Sequence, residues 1–289
     1  MRTILRLRRA LLLLSLTLPL AARGAGDYSI VPGEMGPNAL PTIPNADPVV
    51  GRDLRIELTA AAQLSDDASD RSFTPYFHLT VPFHEVASIE FDGTPLELWR
   101  ISDATRERFG ATRSSGLSPG DIRFGARFLI LREGERLPAF GIRFITKTTT
   151  GKDFEDRRFI NAPAYILDLL LGKTLLTGDG PLRRLRLLAR GGFTAWQQGA
   201  QWQDDAPTYG ATLLATWAHD LRTELELRGY WGYEGNDRPL LLSAGLHKTD
   251  RPHHVEYGLT LNRGLTDDAP AWEIRAGIAV LFEVPYLLD

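Results

Sequence analysis

Residues 271–283 read AWEIRAGIAVLFE. Trp272, Ile274, Ala276, Ile278, Val280 and Phe282 alternate with Glu273, Arg275, Gly277 and Ala279, and a period of two puts the apolar set on one face of a strand. The opposite face holds an acid and a base two residues apart. A strand of this kind suits a wall with lipid on one side and a polar interior on the other.

The pattern recurs upstream. Leu54, Ile56, Leu58 and Ala60 alternate with Arg55, Glu57 and Thr59; Ile122, Phe124, Ala126 and Phe128 with Arg123, Gly125 and Arg127; Val255, Tyr257, Leu259 and Leu261 with Glu256, Gly258, Thr260 and Asn262. Strands are predicted near 52–62, 73–83, 86–100, 120–132, 138–148, 162–174, 183–194, 208–218, 222–233, 239–247, 253–263 and 271–283. Several have the roughly 9 to 11 residues that cross a bilayer at a tilt. The expected fold is all-β: an antiparallel up-and-down transmembrane β-barrel of about twelve strands. Asp92-Gly93 is a hairpin dipeptide inside the third strand, but the apolar parity shifts from Ile89 and Phe91 to Leu96 and Leu98, as one inserted residue would cause, so a bulge is expected.

Connections after Phe83, Arg132, Leu175, Ala218 and His247 are short, and those after Ala62, Arg100, Thr148, Phe193 and Arg263 mostly longer and polar. Short periplasmic turns, longer outer loops and both termini inside are the expectation for a Gram-negative outer membrane. Trp99, Trp196, Tyr209, Trp231 and Trp272 fall at loop ends, and Trp217 and Phe282 at turn ends. Read as two interfacial belts, they argue against a secreted β-sandwich.

The N-terminus reads differently. Arg2, Arg6, Arg8 and Arg9 precede a mostly apolar run from Ala10 to Ala22, too short to span as a helix, so residues 1–24 are expected to be an export signal cut near Ala22-Arg23-Gly24. Its removal takes five arginines and no acid, shifting the formal net charge from -3 to -8, which argues against nucleic-acid binding. Zero cysteines exclude disulfides, thiolate metal sites and a lipid-modified N-terminus together. Residues 25–51 hold Pro32, Pro37, Pro41, Pro44 and Pro48 without periodicity: either a flexible periplasmic extension, or a partial plug at the barrel mouth that shelters Ile30, Val31, Leu40 and Ile43. Residues 52–289 are the expected barrel.

By parity Arg55, Arg123, Arg127, Arg143, Lys147, Arg184, Arg186, Arg190, Arg228 and Arg275 face the lumen, as do Glu57, Asp168, Glu224, Glu226, Glu256 and Glu273. Ten bases against six acids leave two readings open, a self-neutralising ladder that stiffens a narrow barrel and a cation-lined passage for anionic or polar solutes. Arg184, Arg186 and Arg190 form a column that Glu224 and Glu226, two strands away, would leave partly unpaired. His78 is expected inward beside Tyr76 and Thr80. His219, His247, His253 and His254 are expected at turns, with no ligand spacing for a metal. No Gly-x-Ser-x-Gly string occurs, so neither catalytic residues nor a cofactor are expected.

The stretch GDIRFGARFLILREGERLPAFGIRFITKTTTGKDF (120–154), followed by INAPAYILDLLLGKTL (160–175), resembles the outer-membrane barrels grouped with the meta-pathway of phenol degradation, a porin-like family. The resemblance rests on Gly120-Asp121, the charged turn before Leu137-Pro138-Ala139, Thr150-Gly151 and Gly172-Lys173. It implies a barrel with a transport role for small, often hydrophobic, molecules. Expected partners are outer-membrane lipid and lipopolysaccharide, the barrel-assembly machinery and a small-molecule solute. The chain departs from that group in ending Tyr286-Leu287-Leu288-Asp289, where such barrels commonly end in an aromatic residue, with Phe282 or Tyr286 as substitutes. A barrel without transport and a lipid-acting barrel enzyme are the competing functional classes.

Overall fold

The computed structural model describes residues 35–65, 70–198, 202–232 and 237–283. Residues 1–24 and 25–34, with Ile30 and Val31, and Tyr286 at the other end lie outside the described residues, as do the tips of three loops.

Fourteen strand segments form one sheet: β1 (Asp53–Leu64), β2 (Arg71–His84), β3 (Ala87–Gly93), β4 (Glu97–Arg100), β5 (Ser115–Ser118), β6 (Ile122–Leu131), β7 (Ala139–Lys147), β8 (Ala164–Thr177), β9 (Leu182–Gln198), β10 (Trp202–Trp217), β11 (Leu221–Tyr230), β12 (Leu240–Asp250), β13 (Val255–Gly264) and β14 (Trp272–Glu283). All pairings are antiparallel, and β1 bonds both β2 and β14, so the sheet closes on itself. β3 and β4 lie end to end along β2, and β5 and β6 end to end beside them, so the fourteen segments make twelve staves. Closure leaves no sheet edge with unpaired backbone groups, the condition for standing in hydrocarbon.

The third stave carries the inserted residue its parity shift implied. Gly93 lies opposite Phe77 and Leu98 opposite Phe73, five residues against four. Pro95, which has no N–H to give, sits in the interruption, and no hairpin forms at Asp92-Gly93. The connection after Phe193 is a correction. β9 and β10 continue as a ladder to the pair Gln198 and Trp202, because Thr194, Ala195 and Trp196 are buried and the backbone beneath them needs paired hydrogen bonds. Among the described residues a single α-helix, α1 (Asp103–Phe109), occupies the loop after β4, its N-cap Ser102 accepting from Thr105 N and Gly110 closing its end at φ 66°.

The outside of the wall is apolar. Leu58, Leu98, Leu169, Leu225, Leu259 and Ile274 are among many large aliphatic side chains left exposed, while their chain neighbours face inward. A continuous apolar girdle of this extent is unfavourable in water by about 25 cal/mol per Å² and favourable in lipid.

Inside, the chain follows itself. Residues 35–51 run through the lumen from the loop end, where Gly36 N donates to Arg157 O at 2.7 Å, to the turn end, where Pro48 lies between Gly141 and Gly172. A Cβ on either glycine would come within 3.0 to 3.1 Å of the Pro48 ring, so the wall is thinned where the proline passes. Leu40 packs with Trp196, Tyr230 and Ile160, and Ile43 with Ile145 and Ile166. Four prolines keep this stretch out of any ladder, and the wall must bond its freed carbonyls.

Candidate functional site

The lumen is the only large polar interior that the twelve staves enclose among the described residues, and its chemistry is that of paired charge. Arg143 gives two N–H groups to Asp168 at 2.8 and 3.2 Å, and Arg190 meets the same carboxylate at 3.5 Å. Lys147 reaches Asp121 at 2.6 Å, Arg228 reaches Glu226 at 3.1 Å, and Arg275 reaches Glu273 at 2.6 Å. Arg123 pairs with Asp92 and Arg127 with Glu90. Arg55 bridges Glu57 and Glu256 at 3.1 and 2.9 Å. Such pairing is what desolvated charges require.

The inserted segment joins this network. Asp47 takes two hydrogen bonds from Arg186 at 2.6 and 2.9 Å, and Asp47 O accepts from Arg127 at 2.9 Å. Pro44 O accepts from Arg143 at 2.9 Å, Thr42 Oγ1 from Arg228 at 3.2 Å and Leu40 O from Tyr230 Oη at 3.4 Å. Asn45 donates through Nδ2 to Thr212 at 2.8 Å and through its backbone N–H to Glu226 at 3.1 Å. Near the loop end Asn38 Nδ2 donates to Glu97 at 2.8 Å and Thr74 at 3.2 Å. Gly210 faces Asn45, and a Cβ there would overlap the Asn45 side-chain amide.

Both mouths are fastened. At the turn end Glu133, from the β6–β7 turn, accepts from Thr174 N at 2.7 Å and from Arg186, so Arg186 holds two carboxylates at once. Burial acts to raise the Glu133 pKa, but the Thr174 N–H and the Arg186 guanidinium outweigh it and hold it at about 2. At the loop end Asp156 accepts from Arg113 N at 2.8 Å and from Thr112, and these donors, against the opposing effect of burial, keep its carboxyl below the usual range. Arg158 donates to Glu97 at 2.7 and 3.0 Å and lies over the Trp99 ring. A cavity of about 50 Å³ remains beside the segment, lined in part by Asn38, Gln63, Arg228, Glu273 and Arg275.

Several sequence-based expectations are corrected by this geometry. The Arg184, Arg186, Arg190 column does not carry unpaired charge in the barrel: Arg186 and Arg190 are buried on Asp47, Glu133 and Asp168, while Arg184 is exposed at the turn end, where the β8–β9 register shifts. Trp99 and Trp196 do not belong to an aromatic belt. Both are at most 4% exposed and point inward, Trp99 donating to Ser118 at 2.7 Å and Trp196 packing edge-on to Tyr230. Their neighbours Leu98 and Ala195 hold the other parity, and the loops and the inserted segment cover them. Trp231, Trp272 and Phe282 are exposed, and Tyr209 and Trp217 half-buried. His247 is not a turn residue: its ring sits in the lumen 3.5 Å from both Glu224 and Glu256. His78 bonds Thr80 at 2.9 Å and lies 4.0 Å from Asp92.

Seven acids of this network were not picked out from sequence, among them Glu97 and Asp156 near the loop end. Glu90 and Asp92 alternate with Ile89 and Phe91, so parity could have found them. Asp121 shares the parity of Arg123 and Arg127 and Glu97 lies between Leu96 and Leu98, so the same holds for them; Asp47, Glu133 and Asp156 lie outside any period, and no local signal marks them.

A closed antiparallel wall, apolar outside and ion-paired inside, defines a transmembrane β-barrel. The fold is shared with solved outer-membrane barrels. An outer membrane channel from Pseudomonas putida F1 superposes with a TM-score of 0.60 at 14% identity, covering 83% of this chain and all of that one. The KdgM porin in complex with disordered oligogalacturonate superposes at 0.52 with 10% identity over 79% of this chain and 99% of its own. No family model and no curated protein matches the sequence.

Proposed function

We propose that the protein is an outer-membrane channel for small solutes, with short turns in the periplasm, longer loops outside, and a lumen that residues 35–51 close as a plug. The observation that carries this is the bonding of that segment. Arg127, Arg143, Arg186 and Arg228 each give it at least one N–H, so the segment occupies the donors a passing acceptor would use. With the segment displaced, Arg186 keeps Glu133 and loses Asp47, and the path favours anions. Similarity of fold to a channel and to a porin that holds an acidic oligosaccharide supports the class. The resemblance over 120–175 supports kinship with the phenol meta-pathway group and hence a small, partly apolar solute; a small organic acid satisfies both. Lipopolysaccharide around the wall and the barrel-assembly machinery are the implied partners.

The competing reading is a barrel without transport, favoured by the completeness of the ion pairing. Planar-bilayer recording separates the two. The chain has no cysteine, so Asn45→Cys with Thr212→Cys introduces one possible disulfide between segment and wall. The channel reading expects low conductance when this lock is oxidised, a reversible rise on reduction, and anion preference in the open state. Silence of the parent, the reduced lock and a segment-displaced variant alike would leave the structural barrel.

A further inference from the structure

The outer wall carries a charge arrangement that the lumen does not explain. Arg71 on β2 and Arg100 on β4 are directly opposite one another in the antiparallel register. Both are exposed and face outward, since their neighbours Ser72 and Trp99 are buried on the inner face. Neither has a hydrogen bond or ion pair among the described residues, and the closest acid in sequence, Asp70, is engaged with Ser102 N at 2.5 Å and Thr105 Oγ1 at 2.6 Å. Like charges directly across a strand pair repel. Two outward arginines placed directly opposite one another, with no paired acid among the described residues, are therefore an incomplete arrangement.

Their level on the wall says what completes it. Along the same row of the sheet, Arg71 lies opposite Leu64, Leu64 opposite Trp272, and Trp272 opposite Arg263. Leu64 and Trp272 are exposed at 43% and 45%, and Arg263 lies 4.8 Å over the Trp272 ring. An outward tryptophan between aliphatic and cationic side chains marks the headgroup level of a bilayer. All these residues are at the loop ends of their strands. Immediately beside the pair, Leu98 and Phe73 begin the apolar girdle.

We propose that Arg71 and Arg100 form an outward-facing clamp for a phosphate of lipid A in the outer leaflet, its acyl chains lying along Phe73 and Leu98 and its sugar toward Leu64 and Trp272. Guanidiniums bind phosphate oxygens by paired, charge-assisted hydrogen bonds, and one dianionic phosphate relieves the repulsion that the register imposes. The inference uses the membrane orientation proposed above and is independent of whether the lumen conducts.

Native mass spectrometry of the mature protein in neutral detergent tests it, with diphosphoryl lipid A and its phosphate-free counterpart as probes. Arg71→Gln with Arg100→Gln should weaken diphosphoryl lipid A binding about tenfold or more and leave the phosphate-free lipid unaffected. Arg52→Gln with Arg136→Gln, exposed at the turn end, should change neither. Retained heat-modifiable mobility shows that the variants fold; in lipid-free detergent the Arg71/Arg100 variant should be at least as stable as the parent, while added lipid A should raise only the parent's midpoint. Equal binding of both lipids by the parent, or undiminished binding by the variant, would overturn the clamp. So would displacement by millimolar inorganic phosphate, which would make it a free-anion site. Failure to find the chain in outer-membrane fractions would instead strike the orientation.

Discussion

The two sides of the lumen neutralise their charge in different ways. From β12 through β14 to β1 the wall pairs with itself and its neighbours: Arg55 and Arg222 with Glu256, His247 between Glu224 and Glu256, Arg275 with Glu273. From β6 to β11 the guanidiniums of Arg127, Arg143, Arg186 and Arg228 divide their donors between wall carboxylates and the inserted segment. One side is a finished scaffold. The other is complete only with residues 35–51 in place, which is the property a displaceable closure needs. Charge count alone does not separate the two sides; what separates them is whether the partner belongs to the rigid ladder or to a stretch outside it.

The comparison breaks most sharply at Arg186. Arg186→Ala leaves Asp47 and Glu133, both partly exposed, facing each other at the turn-end mouth without their shared guanidinium, a loss of about 2 kcal/mol in urea unfolding from lipid vesicles. Arg55→Ala on the finished side, where the guanidinium is partly exposed, should cost about 1 kcal/mol. Equal losses would erase the distinction.

Gly210→Val is the next largest effect, and it bears on conductance rather than unfolding. A branched side chain suits the β10 backbone but overlaps Asn45, so the segment must leave its position. Open-channel events should become frequent in bilayer recordings. Gly191→Val, on the same wall with open space around it, should behave as the parent.

A smaller effect is expected with pH. The folded-state pKa of Glu133, about 2, lies below its ordinary value near 4.5, so its contribution is complete above 4.5 and disappears as pH falls from 4.5 toward 2. The parent should lose thermal stability across that window more steeply than Glu133→Gln, followed as the temperature of the gel-mobility shift. Parallel curves would mean that Glu133 does not fasten the mouth. Least of all should Arg184→Gln matter: exposed at the turn end, it should stay within about 0.5 kcal/mol of the parent. A large loss there would restore the arginine column to the lumen.

Much of the wall was legible in the chain. The last stave was predicted at 271–283 and is β14, Trp272–Glu283, and the parity shift at Leu96 located the inserted residue. Parity also placed Arg143, Lys147, Arg190 and Glu273 inside, where they are buried. It failed at Trp99 and Trp196, because distance along a strand says how far a ring stands from the membrane centre and nothing about which face a covering loop makes dry. It also failed at His247, which lies three residues inside β12 rather than in the turn.

What the sequence determined by itself is therefore everything with a period: the strand faces, the closed wall and the sign of each inward group, since alternation is a local consequence of strand geometry. Only the tertiary structure decided how those groups are satisfied. Asp47 is 139 residues from Arg186, and Asn38 is 59 from Glu97, and neither partner is marked by spacing, composition or neighbours. Residues 35–51, with four prolines and two glycines breaking any pattern, carry no period to read. Their place in the lumen follows from the wall around them, which has buried N–H donors in need of acceptors and thins to glycine where the segment passes.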